Sequence, residues 1–140
     1  MTLNSTPVII YDSVRYIGVE ARDSNRTSVM NFVTGWNSAW NEGDSGAIKS
    51  YYSENFASYG HGKSSWIRNE SEIVQDAEEI SLEPETVQIL DAGEYVLAVF
   101  SQHLKFERGN DTEIKWLYIK DGEQGLKILA EEVLLSSPEI

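Results

Sequence analysis

At Pro84 the hydrophobic period of the chain changes, and this switch limits the possible folds more than any other feature. Upstream, apolar residues recur at helical spacing; downstream they alternate. Val29, Met30, Phe32, Val33, Trp36, Ala39 and Trp40 share one side of a helix predicted from about Arg26 to Glu42. Asp23, Ser24 or Asn25 can cap its start and Gly43 can stop it. Asp44 or Ser45 then opens a second helix through Ala47, Ile48, Tyr51 and Tyr52 to near Phe56. The stretch SYGHGKSS reads as a loop with two glycines around His61. Ser64 or Ser65 caps a third helix, which buries Trp66, Ile67, Ile73, Val74, Ala77 and Ile80. Its other side carries Glu70, Glu72, Asp76, Glu78 and Glu79.

Beyond Pro84, strands are predicted at Thr86–Leu90, Tyr95–Glu107, Glu113–Lys120 and Leu126–Leu134, joined by glycine turns at DAGE, ERGND and KDGEQG. Helices followed by an antiparallel meander predict an α+β domain with the helices on one sheet face. The run Tyr95–Glu107 is long for a strand and is expected to bend through a bulge. Ahead of the helices, Thr6–Val19 is β-branched and aromatic and reads as extended. Residues 1–22 are therefore assigned as an extended segment or interdomain connector, and 23–140 as the domain.

A chain of 140 residues with 41% hydrophobic content is the size of one domain with a true core. Its formal charge of -12 repels nucleic acid and anionic membrane surfaces. The absence of cysteine excludes thiol nucleophiles, disulfides and cysteine metal sites. No apolar run approaches the roughly 20 residues of a membrane span. The start MTLNSTPVII lacks the basic and apolar regions of a signal peptide, so an export signal would lie outside this chain.

The strand YVLAVFSQHLKFE carries the most information about a site. Val96, Ala98, Phe100, Gln102, Leu104 and Phe106 face one way; Tyr95, Leu97, Val99, Ser101, His103 and Lys105 face the other. Gln102 thus sits on an apolar face, and a buried amide there needs partners, either neighbouring protein groups or a ligand. His103 is the acid–base candidate, although Ser101, Lys105 and Glu107 on its side of the strand indicate a rim position. His61 is loop-borne, with one lysine nearby and no evident carboxylate partner. There is no GxSxG elbow, SxxK box, HExxH spacing, calcium loop or phosphate loop. No catalytic triad, metal or cofactor follows from these residues.

In order, WNSAWNEGD, IKSYYSENF, SSWI, FSQHLKF and IKWLYIKDGEQGLKILAEE resemble the nuclear transport factor 2-like superfamily, over about Ser24 to Leu135. The resemblance implies a cone: three N-terminal helices packed on a curved antiparallel sheet of about four to six strands. More narrowly, the chain resembles the domain that follows the catalytic domain in bacterial L,D-transpeptidase-family cell-shape enzymes, with PVIIYDSVRYI as the connector. That implies an accessory module in the periplasm or cell envelope, without catalysis of its own. It would bind a peptidoglycan fragment, a small molecule or a protein partner, and form a homodimer. By position, the ligand-binding side of the cone would comprise Trp40, Tyr52, Phe56, Trp66, Phe100, Gln102 and Lys115. Lys127 and Glu131 would lie on the closing strand. Leu104 stands where the family pattern has an aromatic, and Glu70 where it has a basic residue.

The alternative function is a small-molecule enzyme of the ketosteroid isomerase or polyketide cyclase type, which fold alone does not assign. It would require an open cone of about 300 Å3 or more holding His103 or Glu131 as acid or base. Trp36, beside Phe32 and Val33, is expected to anchor its helix to the sheet, and Trp40 to face the cone mouth.

Overall fold

The structure is a computed structural model and describes residues 8–9, 16–18 and 23–134. Strands β1 (Val8–Ile9) and β2 (Tyr16–Gly18) pair antiparallel ahead of the helices. The remainder of the 1–22 segment lies outside the described residues. Helix α1 (Asp23–Glu42) ends where predicted: Gly43 takes φ +68°, its N–H bonds Trp40 O at 3.2 Å, and Asp44 N–H bonds Ala39 O at 3.1 Å. Asp44 Oδ1 then accepts from Ala47 N–H and starts α2 (Ser45–Ser50).

The second helix stops short of Phe56. Tertiary pairing takes over from local propensity, because Ile128 of the last strand accepts from Ser53 N–H at 2.9 Å and donates to Tyr51 O at 2.9 Å. The stretch read as a loop around His61 is a tight hairpin of β3 (Ala57–Ser58) and β4 (His61–Gly62). Its two central residues, Tyr59 and Gly60, both have positive φ, as the right-handed twist of a two-residue hairpin requires.

Helix α3 (Lys63–Val74) starts directly after Gly62 and ends before Ile80. Ile80 belongs instead to β5 (Glu79–Leu82), which pairs with the distal half of β7 (Tyr95–Phe106). Helical spacing could not separate the two because Ile80 faces the core in either conformation. A 3-10 turn at Pro84–Thr86 then leads to β6 (Gln88–Ala92), which pairs with the proximal half of β7. Two short strands in tandem thus share one edge of β7. On its other edge follow β8 (Gly109–Gly122) and β9 (Gly125–Leu134), completing a five-stranded antiparallel sheet. The expected bulge is absent from the pairings of β7. It lies in β9, where Leu129 is the extra residue between the pairs Tyr118–Ala130 and Ile119–Ile128.

The alternation read from β7 sorts the faces correctly. Ala98, Phe100, Gln102 and Leu104 are buried, and Ala98 and Phe100 pack in one cluster with Val29, Val33, Trp36 and Trp40 of α1. Leu97, with Leu90 and Trp116, forms a separate cluster on the outer face. Gly35 has a packing reason to be glycine: a Cβ there would meet the Tyr51 hydroxyl, which folds back over α1.

Candidate functional site

The interior of the cone is polar at its centre, and its elements converge on one carboxylate. Glu131 projects from β9 and is 1% exposed. Its Oε2 accepts from Lys115 Nζ of β8 at 2.9 Å, and its Oε1 accepts from the Tyr52 hydroxyl at 2.8 Å and Trp66 Nε1–H at 3.3 Å. The same Tyr52 oxygen accepts from Trp36 Nε1–H at 3.0 Å and Trp40 Nε1–H at 3.3 Å. Three indoles, a phenol, an ammonium and a carboxylate therefore form one connected network, as buried polar groups must.

Lys115 has further company. Glu70 of α3 lies 3.3 Å from its Nζ and Glu113 of β8 lies 3.7 Å away. Glu70, the departure from the family's basic position, is thus one of the carboxylates surrounding the buried ammonium. Burial alone pulls the lysine down, but the charges of Glu131, Glu70 and Glu113 overcome this and hold it well above the usual lysine range. Burial raises Glu70, with Lys115 opposing. Tyr52 is also raised far above an ordinary phenol, first by burial and then by Glu131. Both shifts favour the protonated ammonium and phenol, the forms in which each donates to Glu131.

Gln102 also finds protein partners. Its Nε2 donates to Asn37 Oδ1 at 2.8 Å, and Asn37 Nδ2 donates to Ile80 O at 3.1 Å. Asn41 Oδ1 accepts from Ile80 N–H at 2.7 Å, so two asparagines one turn apart on α1 occupy both backbone groups of that β5 residue. Sequence reasoning did not single out Asn37 or Asn41, although their spacing within WNSAWN marks one helix face.

The seven residues predicted to line the ligand side are all interior: Trp40, Tyr52, Phe56, Trp66, Phe100, Gln102 and Lys115 are each at most 7% exposed. They pack on one another. Phe100 meets Trp36 edge-on at 5.6 Å, Tyr52 meets Phe56 at 5.2 Å, and Phe56 meets Trp66 at 5.7 Å. The space left among Trp36, Trp40, Glu70, Gln102 and Lys115 is about 10 Å3. That is at the lower limit of what can hold a single water molecule.

His103 lies apart from this network, on the outer face, with Nε2 2.7 Å from Glu83 and Nδ1 2.9 Å from Thr112 Oγ1. His61 Nδ1 is 2.6 Å from Ser65 Oγ. Lys127 Nζ donates to Ser50 O at 2.6 Å and ties β9 to α2. Among the described residues no group of His, Asp or Glu is placed to hold a metal ion, and no helix is long and apolar enough to cross a membrane.

Of the open depressions on the outside, two adjoin β9. One depression of about 600 Å3 is lined by Tyr59, Tyr95, Tyr118 and Glu132, with the buried Glu131 also among its lining residues. A second, of about 720 Å3, is lined by Lys49, Lys63, Lys120 and Lys127. Asn55 and Leu129 line both.

Residues 28–132 match the family model described as the Cds6 C-terminal NTF2-like domain. No curated protein matches the chain by sequence. Among solved structures, Bd1075 of Bdellovibrio bacteriovorus superposes with a TM-score of 0.69 at 24% identity, over 98% of this chain and 50% of that one. This chain therefore spans about half the length of Bd1075. The helical cell shape determining protein Pgp2 of Campylobacter jejuni, as its K307A mutant, gives 0.65 at 19% identity, over 81% of this chain and 42% of that one. An NTF2-like protein of unknown function from Shewanella oneidensis MR-1 gives 0.63 at 18% identity, over 78% and 98%. These identities carry the fold alone.

Proposed function

The chain belongs to the Cds6 C-terminal NTF2-like domain family, and from that premise we propose that it is a non-catalytic binding module of the cell envelope. It acts through its surface on peptidoglycan, beside an enzyme of the L,D-transpeptidase type, and assembles as a homodimer. The observation that carries the non-catalytic part is the filled cone. About 10 Å3 remains where a substrate would sit, and Lys115, Tyr52 and Glu131 are committed to one another. Support for the wall assignment comes from the resemblance of the sequence to accessory domains of cell-shape enzymes, and from likeness in fold to Pgp2, a helical cell shape determining protein.

The test is co-sedimentation with purified sacculi. The protein is expected to enrich in the pellet; a protein left wholly in the supernatant contradicts wall binding. A small molecule released from the purified protein on denaturation, in stoichiometric amount, would contradict the filled cone. Light scattering at high micromolar concentration is expected to give twice the 15.8 kDa protomer mass, and a monomer removes the dimer from the proposal.

A further inference from the structure

The chain has an excess of acid, yet four of its lysines, Lys49, Lys63, Lys120 and Lys127, surround one open depression beside β9, with only Glu54 and Glu123 as acidic residues in the lining. Lys63 is engaged by Glu54 at 2.6 Å, and Lys120 lies 3.7 Å from the well-exposed Glu94. The four lysines outnumber the two glutamates there, a local excess of positive charge on a protein of formal charge -12, while the adjoining depression adds Glu131 and Glu132.

The adjoining depression offers aromatic rings. Tyr59 is 62% exposed and holds φ 50°, a left-handed conformation rare for a bulky residue. One face of its ring stacks on Trp66, at 5.8 Å and 15°, and its hydroxyl accepts from Val133 N–H at 3.1 Å. The ring is thereby fixed in place while much of it stays open to solvent. Tyr95, 40% exposed, lines the same depression.

We propose that these two adjoining depressions, which share Asn55 and Leu129, bind a saccharide bearing an acidic peptide, with sugar rings on Tyr59 and Tyr95 and the peptide carboxylates on Lys49 and Lys120. The assignment rests on the wall-binding reading and names its site and its chemistry. Rigid tyrosines suit sugar rings because they offer an apolar face and a polar tip at low entropy cost, and lysines supply charge-assisted hydrogen bonds to carboxylates.

The experiment titrates the full chain with muramidase-released glycan–peptide fragments, a neutral N-acetylglucosamine oligomer and polyglutamate. The fragments are expected to bind tightest, with affinity falling as salt rises. Lys49→Gln combined with Lys120→Gln should weaken fragment binding about tenfold and flatten the salt dependence. Tyr59→Gly, in which glycine accepts the same φ freely, should weaken the fragments and the neutral oligomer alike. If Tyr59→Gly fails to fold, the exposed lysine pair decides alone. Unchanged affinity in the lysine variant, while sacculi still pellet the protein, overturns the groove and leaves the wall-binding reading standing. Polyglutamate binding as tightly as the fragments overturns the saccharide. Loss of sedimentation in the unaltered protein removes both.

Discussion

The cone interior and the groove beside β9 are built from the same side-chain types, tyrosine, lysine and glutamate, with opposite outcomes. Inside, Tyr52 accepts from two indoles and donates to Glu131, and Lys115 is surrounded by three carboxylates. Outside, Tyr59, Tyr95, Lys49 and Lys120 keep much of their surface in water. The difference follows from the medium. In a low-dielectric interior a charge is tolerated only when matched, so every group there is already occupied. In the groove, solvation is cheap and the same groups remain ready for a ligand.

The comparison can be broken at its centre first. Glu131→Ala removes the carboxylate that Lys115, Tyr52 and Trp66 share, and should cost about 3–5 kcal/mol in urea unfolding, since a buried charge loses its partner. A loss below about 1 kcal/mol would mean that water reaches Lys115 and that the interior resembles the groove. Tyr52→Phe keeps the ring but strands two indole N–H groups; about 1–3 kcal/mol is expected, and an unchanged midpoint would show that the network is dispensable.

Acidity separates the regions next. Because burial raises Glu70 above its ordinary 4.5, the folded chain holds that proton more tightly than the unfolded one. Its stabilising contribution is present below the ordinary value and is lost as pH rises through the raised one. Acidification toward the ordinary carboxylate range should therefore raise the unfolding midpoint, and Glu70→Gln should flatten the rise. Lys115 and Tyr52 are raised above 10.5 and 10.0, so their contributions are present below those values and fall away as pH climbs through the folded ones. A midpoint that drops on mild acidification, or a slope that Glu70→Gln leaves intact, would refute this. The smallest effect is expected outside: Lys49→Gln with Lys120→Gln should move stability by no more than about 0.5 kcal/mol, and a larger loss would make the lysines structural.

Much of the fold was legible because period and caps agree. Gly43, Asp44 and the alternation of β7 each act within a few residues, where a sequence pattern is reliable. Two of the misreadings arose from long-range pairing. The chain left the second helix after Ser50 because β9 takes the backbone of Tyr51 and Ser53, and Ile80 left the third because β7 pairs with it. The seven residues assigned to the ligand side are all buried, yet the sequence could not say how closely they pack. Trp36 and Trp40, to which different roles were assigned, donate to the same hydroxyl. Glu70 was noticed as a departure from a pattern, but its partner lies 45 positions away and only the fold brings them together. The groove escaped notice because its lysines come from α2, α3, β8 and β9.

The central claim is that ligand meets the outside of β9 and never the inside of the cone. Nuclear magnetic resonance tests it directly, because the indole N–H signals of Trp36, Trp40 and Trp66 report on the buried network. On titration with glycan–peptide fragments, the amides of Lys49, Asn55, Tyr59, Lys120 and Leu129 should shift while those three indole signals stay fixed. Saturable shifts of the three indoles, with the groove amides unmoved, would place the ligand in the interior and contradict the account.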